Sequence, residues 1–560
     1  MQSALTPPRH RLRTLLDAGA GAEALALIQR FDPAADDPEL ALMRADALMF
    51  AGRAAEAAAA YRPLTEARPG EYGPWWGLGC AHLALNAHGA AIPAFRRAAA
   101  IRPDLPAPRF NLATSLMMVG RMEEGTPILL DIARREPSLR RAALKELAVM
   151  LPGHPGSTTA DVRAAREAWI TGEREALRAA AVPPPRPAPP EGRRLRVGYV
   201  SAFFGSANYM KPVWGLINAH DRARFEIHMI SDGRPPSAES GYRDHDDDRV
   251  HEVRGVPNDR LAGHLRRLGL DVLVDLNSYS LPARLPFFTL RPAPVQVAWF
   301  NSYAPGGVAE IGHLVGDGAV IRDGEEGDYG ERLHRLPGTY LAFDVTYAVP
   351  AVAPPPVLRH GYLTFGSFCS LYKLTDTTLS TWAAILRAAP TARLRLRNGA
   401  LGEVSNRDDL TGRMAALGVD PARVTLEGPA DHHAFLSDYA EVDVALDAVP
   451  YNGGTTTTEA LWQGVPVLAT DGDRWAARTS ASLLSAAGLG DWVLPDAGAL
   501  VARAVFLAND AAAAGALLAP LRAGLRDALR RSPACDSAGL CRAMEELYVG
   551  LVREAASGAN

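Results

Sequence analysis

Apolar residues in the first third of the chain recur at intervals of three and four, the spacing of one helical face. Leu12, Leu15, Leu16, Ala24, Leu25 and Leu27 form the first such set, and the pattern runs on to about Ala180. A longer period lies over it. Pro69, Pro103 and Pro137 stand 34 residues apart, and so do Tyr61, Phe95 and Leu129; Ala45, Gly79 and Ala113; and Gly52, Asn86 and Gly120. That register predicts stacked helix pairs. The small residue lets two helices approach, the large apolar residue fills the neighbouring groove, and the proline stops the second helix. The pattern changes after AVPPPRPAPPEG, Ala181–Gly192, which reads as a semi-rigid linker. Beyond it short apolar runs alternate with amphipathic stretches. Strands are predicted at Leu195–Ser201, Phe225–Ser231, Val272–Leu276 and Val295–Phe300, with an amphipathic segment at Pro257–Leu268. A second proline-rich break, Val349–His360, is followed by strands at Gly361–Ser367, Ala392–Arg397, Arg423–Leu426, Asp443–Asp447 and Val465–Ala469, with a helix at Thr377–Ala388. Past Gly498, Leu517, Leu521, Leu525, Leu529 and Met544 predict a packed C-terminal helix closing over what precedes it.

A 34-residue unit with an early small residue, a late aromatic and a closing proline is the tetratricopeptide pattern. It is clearest in Tyr72–Leu105, where Trp75, Leu78, Gly79, Ala91, Phe95, Ala98 and Pro103 all fall in register. Residues before about 38 read as a degenerate capping repeat. The predicted fold is an N-terminal tetratricopeptide α-solenoid (1–180), the linker (181–192), and two Rossmann-like α/β lobes (193–350 and 351–560, the second with its closing helix). Ligands in such sheets bind beyond the carboxyl ends of the strands, here in the cleft between lobes. The repeats are expected to present a concave face to a protein or peptide partner, or to dock on the lobes.

Composition narrows the function. The 560 residues carry a formal net charge of −4, so no basic excess points to nucleic acid. No long uncharged apolar run predicts a membrane span, and the first residues lack a signal-peptide core, so a cytoplasmic location is expected. Cys80, Cys369, Cys535 and Cys541 are scattered without a CxxC pair, which suggests neither a zinc site nor a disulfide framework.

The most unusual run is YNGGTTTTEALWQGVPV, Tyr451–Val467, directly after a predicted strand. A helix N-terminus presents unpaired N–H groups and partial positive charge, and glycines let an anion approach the backbone. Gly453, Gly454 and the threonines therefore suggest a diphosphate cradle. A capping box, Thr456-x-x-Glu459, would account for part of the run. Neither GxxxxGK[ST] nor GxGxxG is present there. Two more candidates follow predicted strands. Lys373, in Ser367–Thr375, can supply a point charge to a phosphate or lie in solvent. Arg478, in Asp471–Leu484, can clamp a phosphate or serve as a surface ion-pair partner.

These segments, taken together, resemble the O-GlcNAc transferase/SPINDLY family, in which tetratricopeptide repeats precede a two-lobed GT-B catalytic region. The resemblance rests on LRVGYVS (Leu195–Ser201), VLVDLNSYS (Val272–Ser280), LRPAPVQVAW (Leu290–Trp299), LYK (Leu371–Lys373), the run from Asp447 and the ARTSASLL run from Ala477. It implies metal-independent transfer of a sugar from a nucleotide diphosphate to protein serine or threonine hydroxyls. It makes Lys373 the lysine that neutralises the leaving diphosphate, with Tyr372 beside it. Asn452, Gly453, Gly454, Thr455 and Thr456 become the phosphate-binding loop, and Glu459 the acid that holds the ribose hydroxyls. Phe435 stands near the position of a base-stacking histidine, with His432 and His433 slightly upstream.

The chain also departs from the family pattern. In GSANYMK, Gly205–Lys211, Ala207 and Lys211 stand where histidines are frequent, and Gly454 replaces a histidine of the animal enzymes. Tyr209, Lys211 and Asn277 are the candidates for the acceptor side, and no general base is assigned. UDP-GlcNAc is the leading donor. GDP-fucose is the alternative, because the TTTT run is closer to the SPINDLY branch. A repeat scaffold with an inactive transferase lobe is the reading of a different class. Repeat surfaces of this kind also allow a homodimer.

Overall fold

The computed structural model describes residues 9–30 and 37–558. Three helix pairs carry the 34-residue register: Pro38–Phe50 with Ala54–Ala67, Tyr72–Ala84 with His88–Ile101, and Pro106–Met118 with Met122–Arg135. Arg9–Asp17 and Gly21–Arg30 precede them, and Arg140–Met150 and Thr159–Leu177 follow. Pro69, Pro103 and Pro137 each sit just past the cap of a second helix, at Arg68, Arg102 and Glu136. The small-residue position has a direct reason. A Cβ on Gly79 would stand 2.6 Å from the Phe95 ring, so the aromatic of the register occupies the space that glycine leaves.

The first sheet has seven parallel strands: β1 (Leu195–Ser201), β2 (Phe225–Ser231), β3 (Arg249–Glu252), β4 (Val272–Asp275), β5 (Val295–Ala298), β6 (His313–Asp317) and β7 (Arg332–Leu336), in the order β3-β2-β1-β4-β5-β6-β7. The second has six: β8 (Thr364–Ser367), β9 (Arg393–Arg397), β10 (Val424–Glu427), β11 (Val444–Leu446), β12 (Val467–Thr470) and β13 (Val493–Leu494), in the order β10-β9-β8-β11-β12-β13. Buried parallel strands read as apolar runs because helices cover both faces. Most of the buried strands are therefore visible in the sequence. β3, β6, β7 and β13 were not: β3 and β7 are mostly polar and partly exposed, β6 is buried but has only Leu314 and Val315 between His313 and Gly316, and β13 is two residues long. The architecture is a helical-repeat domain followed by two Rossmann-like lobes, the GT-B arrangement.

The end of the chain differs from expectation. Three helices replace the single one, Ala497–Asn509, Ala511–Arg530 and Ser537–Ser557, and Leu517 is exposed. The last helix leaves the second lobe and packs into the core of the first, with Met544, Tyr548 and Val552 fully buried there. Its polar groups are tied in as well. Glu545 Oε1 lies 2.9 Å from His220 Nδ1 and accepts from the Asp221 N–H, while His220 Nε2 is 2.7 Å from the Tyr199 hydroxyl. Helical periodicity shows which face of this helix is apolar, not which sheet receives it. Residues 351–560 are therefore not one lobe.

The repeats are continuous with both lobes. Ala113, Leu129 and Trp169 share a core with the first sheet, and Phe95, Leu112 and Val119 share one with the second. Asn406 bridges the contact, accepting from Gly89 N and donating to Asn86 O, both at 2.9 Å. Arg166, fully buried, donates to Pro305 O at 2.7 Å and lies 3.7 Å from the Tyr279 ring centroid. Among the described residues no single helix is long and apolar enough to cross a membrane.

Candidate active site

Strand β11 leads into the glycine–threonine loop, and a helix, Thr455–Trp462, begins at its far end. Asp447 folds the loop. Its Oδ1 accepts from Gly453 N at 2.8 Å and from Ala448 N at 2.9 Å. Burial pushes this carboxyl up to about 6. Asn452 donates from its backbone to Ala476 O and from its side chain to Ala448 O. Gly453 is needed for space, since a Cβ there would stand 2.6 Å from the hydroxyls of both Thr456 and Thr457.

The helix has no side-chain cap. Gly454 is the N-cap, Thr456 is the second helical residue and Glu459 the fifth. The expected capping box does not form, because the helix starts two residues earlier than that box requires. The first N–H groups are left without intrahelical partners. The four threonines divide the work. Thr457 pairs with the Ser480 hydroxyl at 2.8 Å, and Thr458 donates to Thr455 O at 2.7 Å. Thr455, Thr456 and also Thr458 line a cavity of about 300 Å³ between the lobes.

Lys373 closes a 3₁₀ turn, Leu371–Lys373, just beyond β8. Its Nζ donates to Asn452 O at 2.6 Å and lies 3.8 Å from the Tyr451 ring centroid. Among the described residues it has no carboxylate within ion-pair distance. Desolvation lowers its pKa, opposed by Cys369 and Asp447. A lysine desolvated without an anionic partner, facing a cavity beside a helix N-terminus, is built to receive an anion. Thr375 and Thr378 tie the two loops together, both donating to Val449 O at 2.9 and 2.8 Å.

The opposite wall comes from the first lobe. The Tyr209 hydroxyl donates to Asn301 Oδ1 at 2.7 Å, and Asn301 donates to Leu276 O at 2.6 Å. Phe300, also on the wall, has φ of +72°, a left-handed conformation costly for a bulky residue and most often found at functional sites. Lys211 donates to Asn208 O at 2.7 Å and stands 3.7 Å from Glu459 Oε1.

Of the residues singled out in the sequence, Lys373, Tyr372, Asn452, Gly454, Thr455, Thr456, Tyr209 and Lys211 line this cavity. Five do not. Gly453 shapes the loop from behind. Phe435 packs among Phe368, Tyr439 and His432 instead of facing the cavity. Asn277 accepts from Ala202 N at 2.9 Å and holds the loop after β1. Arg478 is neither a phosphate clamp nor a surface residue: it is buried, donates to Gly472 O at 2.7 Å and pairs with Glu325 of the first lobe at 2.8 Å. Glu459 is buried against Lys211 and off the cavity wall. Sequence reasoning missed Tyr303, Tyr340, Tyr451, Asn301 and Thr479, all on the wall. Tyr451 was legible as part of the loop; the others come from strand ends and a helix start whose facing is set by packing.

Two parallel-sheet lobes share a cleft, and the second lobe brings both Lys373 and the N-terminus of the Thr455–Trp462 helix to it. The family model described as glycosyl transferase family 41 matches residues 164–361 and 355–537, and the chain belongs to that family. Similar proteins include SPINDLY of Oryza sativa, 30% identical over 376 residues, which are 65% of this chain and 40% of that protein. The UDP-N-acetylglucosamine–peptide N-acetylglucosaminyltransferase of Caenorhabditis elegans is 22% identical over 490 residues, covering 66% of this chain and 41% of its own. The chain thus spans about two fifths of the length of the curated relatives it matches. A solved mutant of Thermobaculum terrenum O-GlcNAc transferase is 30% identical with a TM-score of 0.77, covering 93% of this chain and 98% of that one.

Proposed function

We propose that this protein transfers a sugar from a nucleotide diphosphate to serine or threonine hydroxyls of proteins, with UDP-GlcNAc as donor. The carrying observation is Lys373, a cavity lysine with no carboxylate partner that meets the open N-terminus of the Thr455–Trp462 helix. The names of the Caenorhabditis elegans and Thermobaculum terrenum relatives support the donor and the acceptor class.

The acceptor oxygen attacks the anomeric carbon from the face opposite the diphosphate, so the configuration inverts. The new C–O bond forms as the sugar–phosphate bond breaks, and that electron pair leaves with the diphosphate. Lys373 and the N–H groups of Thr455 and Thr456 are in place before the charge develops, so they need no reorganisation to stabilise it. The acceptor hydroxyl gives up its proton as its bond forms. Among the described residues no carboxylate lines the cavity, and carboxylates are the usual anionic ligands of a hard divalent cation, which supports reading the transfer as metal-independent. In this reading the repeat array presents the acceptor protein, and the reaction takes place in the cytoplasm.

The test is a thermal-shift series with UDP, GDP, ADP and dTDP, followed by transfer to a serine-containing peptide read by mass. Stabilisation by UDP with transfer of N-acetylglucosamine is expected. A shift with GDP alone would replace the donor by a GDP-linked sugar such as GDP-fucose. No shift with any of the four at millimolar concentration would overturn the assignment.

A further inference from the structure

Tyr340 and Thr479 meet across the cleft as two neutral hydroxyls. Tyr340 follows β7 in the first lobe, and Thr479 opens the Thr479–Ala486 helix of the second. Both line the cavity, yet they are only 1% and 8% exposed. Trp475 Nε1 donates to the Tyr340 hydroxyl oxygen at 3.0 Å. An indole N–H can only donate, so the phenol accepts there and keeps its own proton to give. Among the described residues its remaining partner is Thr479 Oγ1, at 3.4 Å. That is longer than the roughly 2.5–3.0 Å of an ordinary O–H···O bond. One carboxylate holds both residues from behind. Asp317, fully buried, accepts from Tyr340 N at 3.0 Å and, at 2.6 Å, from the hydroxyl of Ser482, which lies on the same helix as Thr479.

We propose that Tyr340 and Thr479 together hold a hydroxyl of the sugar being transferred. This rests on the nucleotide-sugar reading of the cavity. The place fits. A Cβ on Gly454 would stand 3.6 Å from the Thr479 methyl, so the pair adjoins the N-cap of the helix that would receive the diphosphate. The sugar is the group bonded to that diphosphate. The chemistry fits as well. Neither hydroxyl carries charge, and charge for the phosphates comes from Lys373 and the helix N–H groups. A sugar hydroxyl both accepts and donates, and here it meets a phenol with a proton to give and a threonine oxygen able to accept one. Burial raises the Tyr340 phenol well above the usual tyrosine range, so it stays protonated and remains a donor. A ligand oxygen between the two replaces their long mutual contact with two of ordinary length. Because Asp317 fixes both elements, the hydroxyls are placed before the sugar arrives.

A contact to the sugar is separable from one to the nucleotide, because UDP lacks the sugar. The experiment is calorimetric titration of the full chain with UDP and with UDP-GlcNAc, without acceptor, for wild type, Y340F and T479V, followed by transfer to a serine-containing peptide. GDP and GDP-fucose take their place if the wild type binds GDP alone. Expected in each variant are an unchanged affinity for the nucleoside diphosphate, about tenfold weaker binding of the sugar nucleotide and a loss of turnover of about tenfold or more. Y340F also leaves the buried Trp475 N–H without its acceptor, which costs stability. T479V keeps the side-chain shape and the Trp475–Tyr340 bond, so it carries the test even where Y340F folds poorly. Unchanged sugar-nucleotide affinity in T479V overturns the contact. So does an equal loss of affinity for the nucleoside diphosphate, which would put the pair on the phosphates. Both outcomes leave the proposed function standing. A wild type that binds neither UDP nor GDP overturns the contact together with the proposed function.

Discussion

Gly120 of the repeat domain backs onto the carbonyl of Leu374, the residue after Lys373. A Cβ on Gly120 would stand 2.3 Å from Leu374 O and 3.2 Å from Leu371 O. Arg413 reinforces the contact, donating to Val119 O at 2.6 Å and to Leu374 O at 2.9 Å. The turn that carries the cavity lysine therefore rests on the solenoid, and the repeats are part of the scaffold of the site.

Replacing Gly120 with alanine should move that turn. Gly120 has φ of +82°, so alanine meets backbone strain as well as the clash. The expected cost is about 1–3 kcal/mol of stability, with a loss of turnover in the protein that remains folded. Thermal melting and sugar transfer per folded molecule read the two effects. Unchanged turnover would mean that the turn holds its place without the repeats.

Lys373→Met should lower turnover by about a hundredfold or more, with a much smaller change in nucleoside diphosphate affinity. The reason is its place beside the charge that grows on the leaving group. Equal losses in turnover and affinity would assign Lys373 to ground-state binding instead.

Binding should also move a proton. Burial disfavours the charged form of Lys373 in the free protein, and a bound diphosphate restores it. Nucleoside diphosphate binding should therefore take up protons, increasingly so as pH rises toward the lowered pKa, with affinity falling in the same direction. Calorimetry in buffers of different ionisation enthalpy measures this, and Lys373→Met should abolish it.

Arg478→Met separates structure from binding. Removing a buried guanidinium leaves Glu325 without its partner, at a cost of about 3 kcal/mol. Nucleoside diphosphate affinity should not change, because Arg478 does not reach the cavity. An affinity loss without a drop in melting temperature would return Arg478 to the phosphate site.

Two histidines on the first sheet should make the protein sensitive to acid. Desolvation, then the neighbours His228, His264 and Arg249, push His251 down to about 4. Desolvation, then His313 and Arg332, do the same to His334. The unfolded chain protonates near the ordinary value of 6.5, so their contribution is complete above that pH and is lost as pH falls toward 4. Buried Asp275, pushed up to about 7, works in the opposite direction. The histidine effect is therefore read as a difference: urea midpoints of H251N/H334N should fall less between pH 7 and pH 5 than those of wild type.

Most buried strands, though not β6, and the repeat register were legible because burial on both faces and a fixed helix-pair length leave direct marks on residue order. Lys373 and the glycine–threonine loop were legible because chemistry of an unusual kind follows a strand. Arg478 and Glu459 were not. Both lie on segments whose sequence suits a binding site, and both are taken by a partner from the other lobe, Glu325 and Lys211. The capping box failed for a local reason: Gly454 already ends the loop, so the helix begins before Thr456 can act as its cap.

By itself the sequence determined the repeat register, the succession of repeat domain and two α/β lobes, and the residues able to meet an anion, since these follow from period, propensity and side-chain chemistry. The tertiary structure decided which of them share a cavity. Ion pairs across a cleft, the sheet that receives the last helix and the seat of the Lys373 turn on Gly120 join residues far apart in the chain, and only packing brings such groups to within a few ångströms.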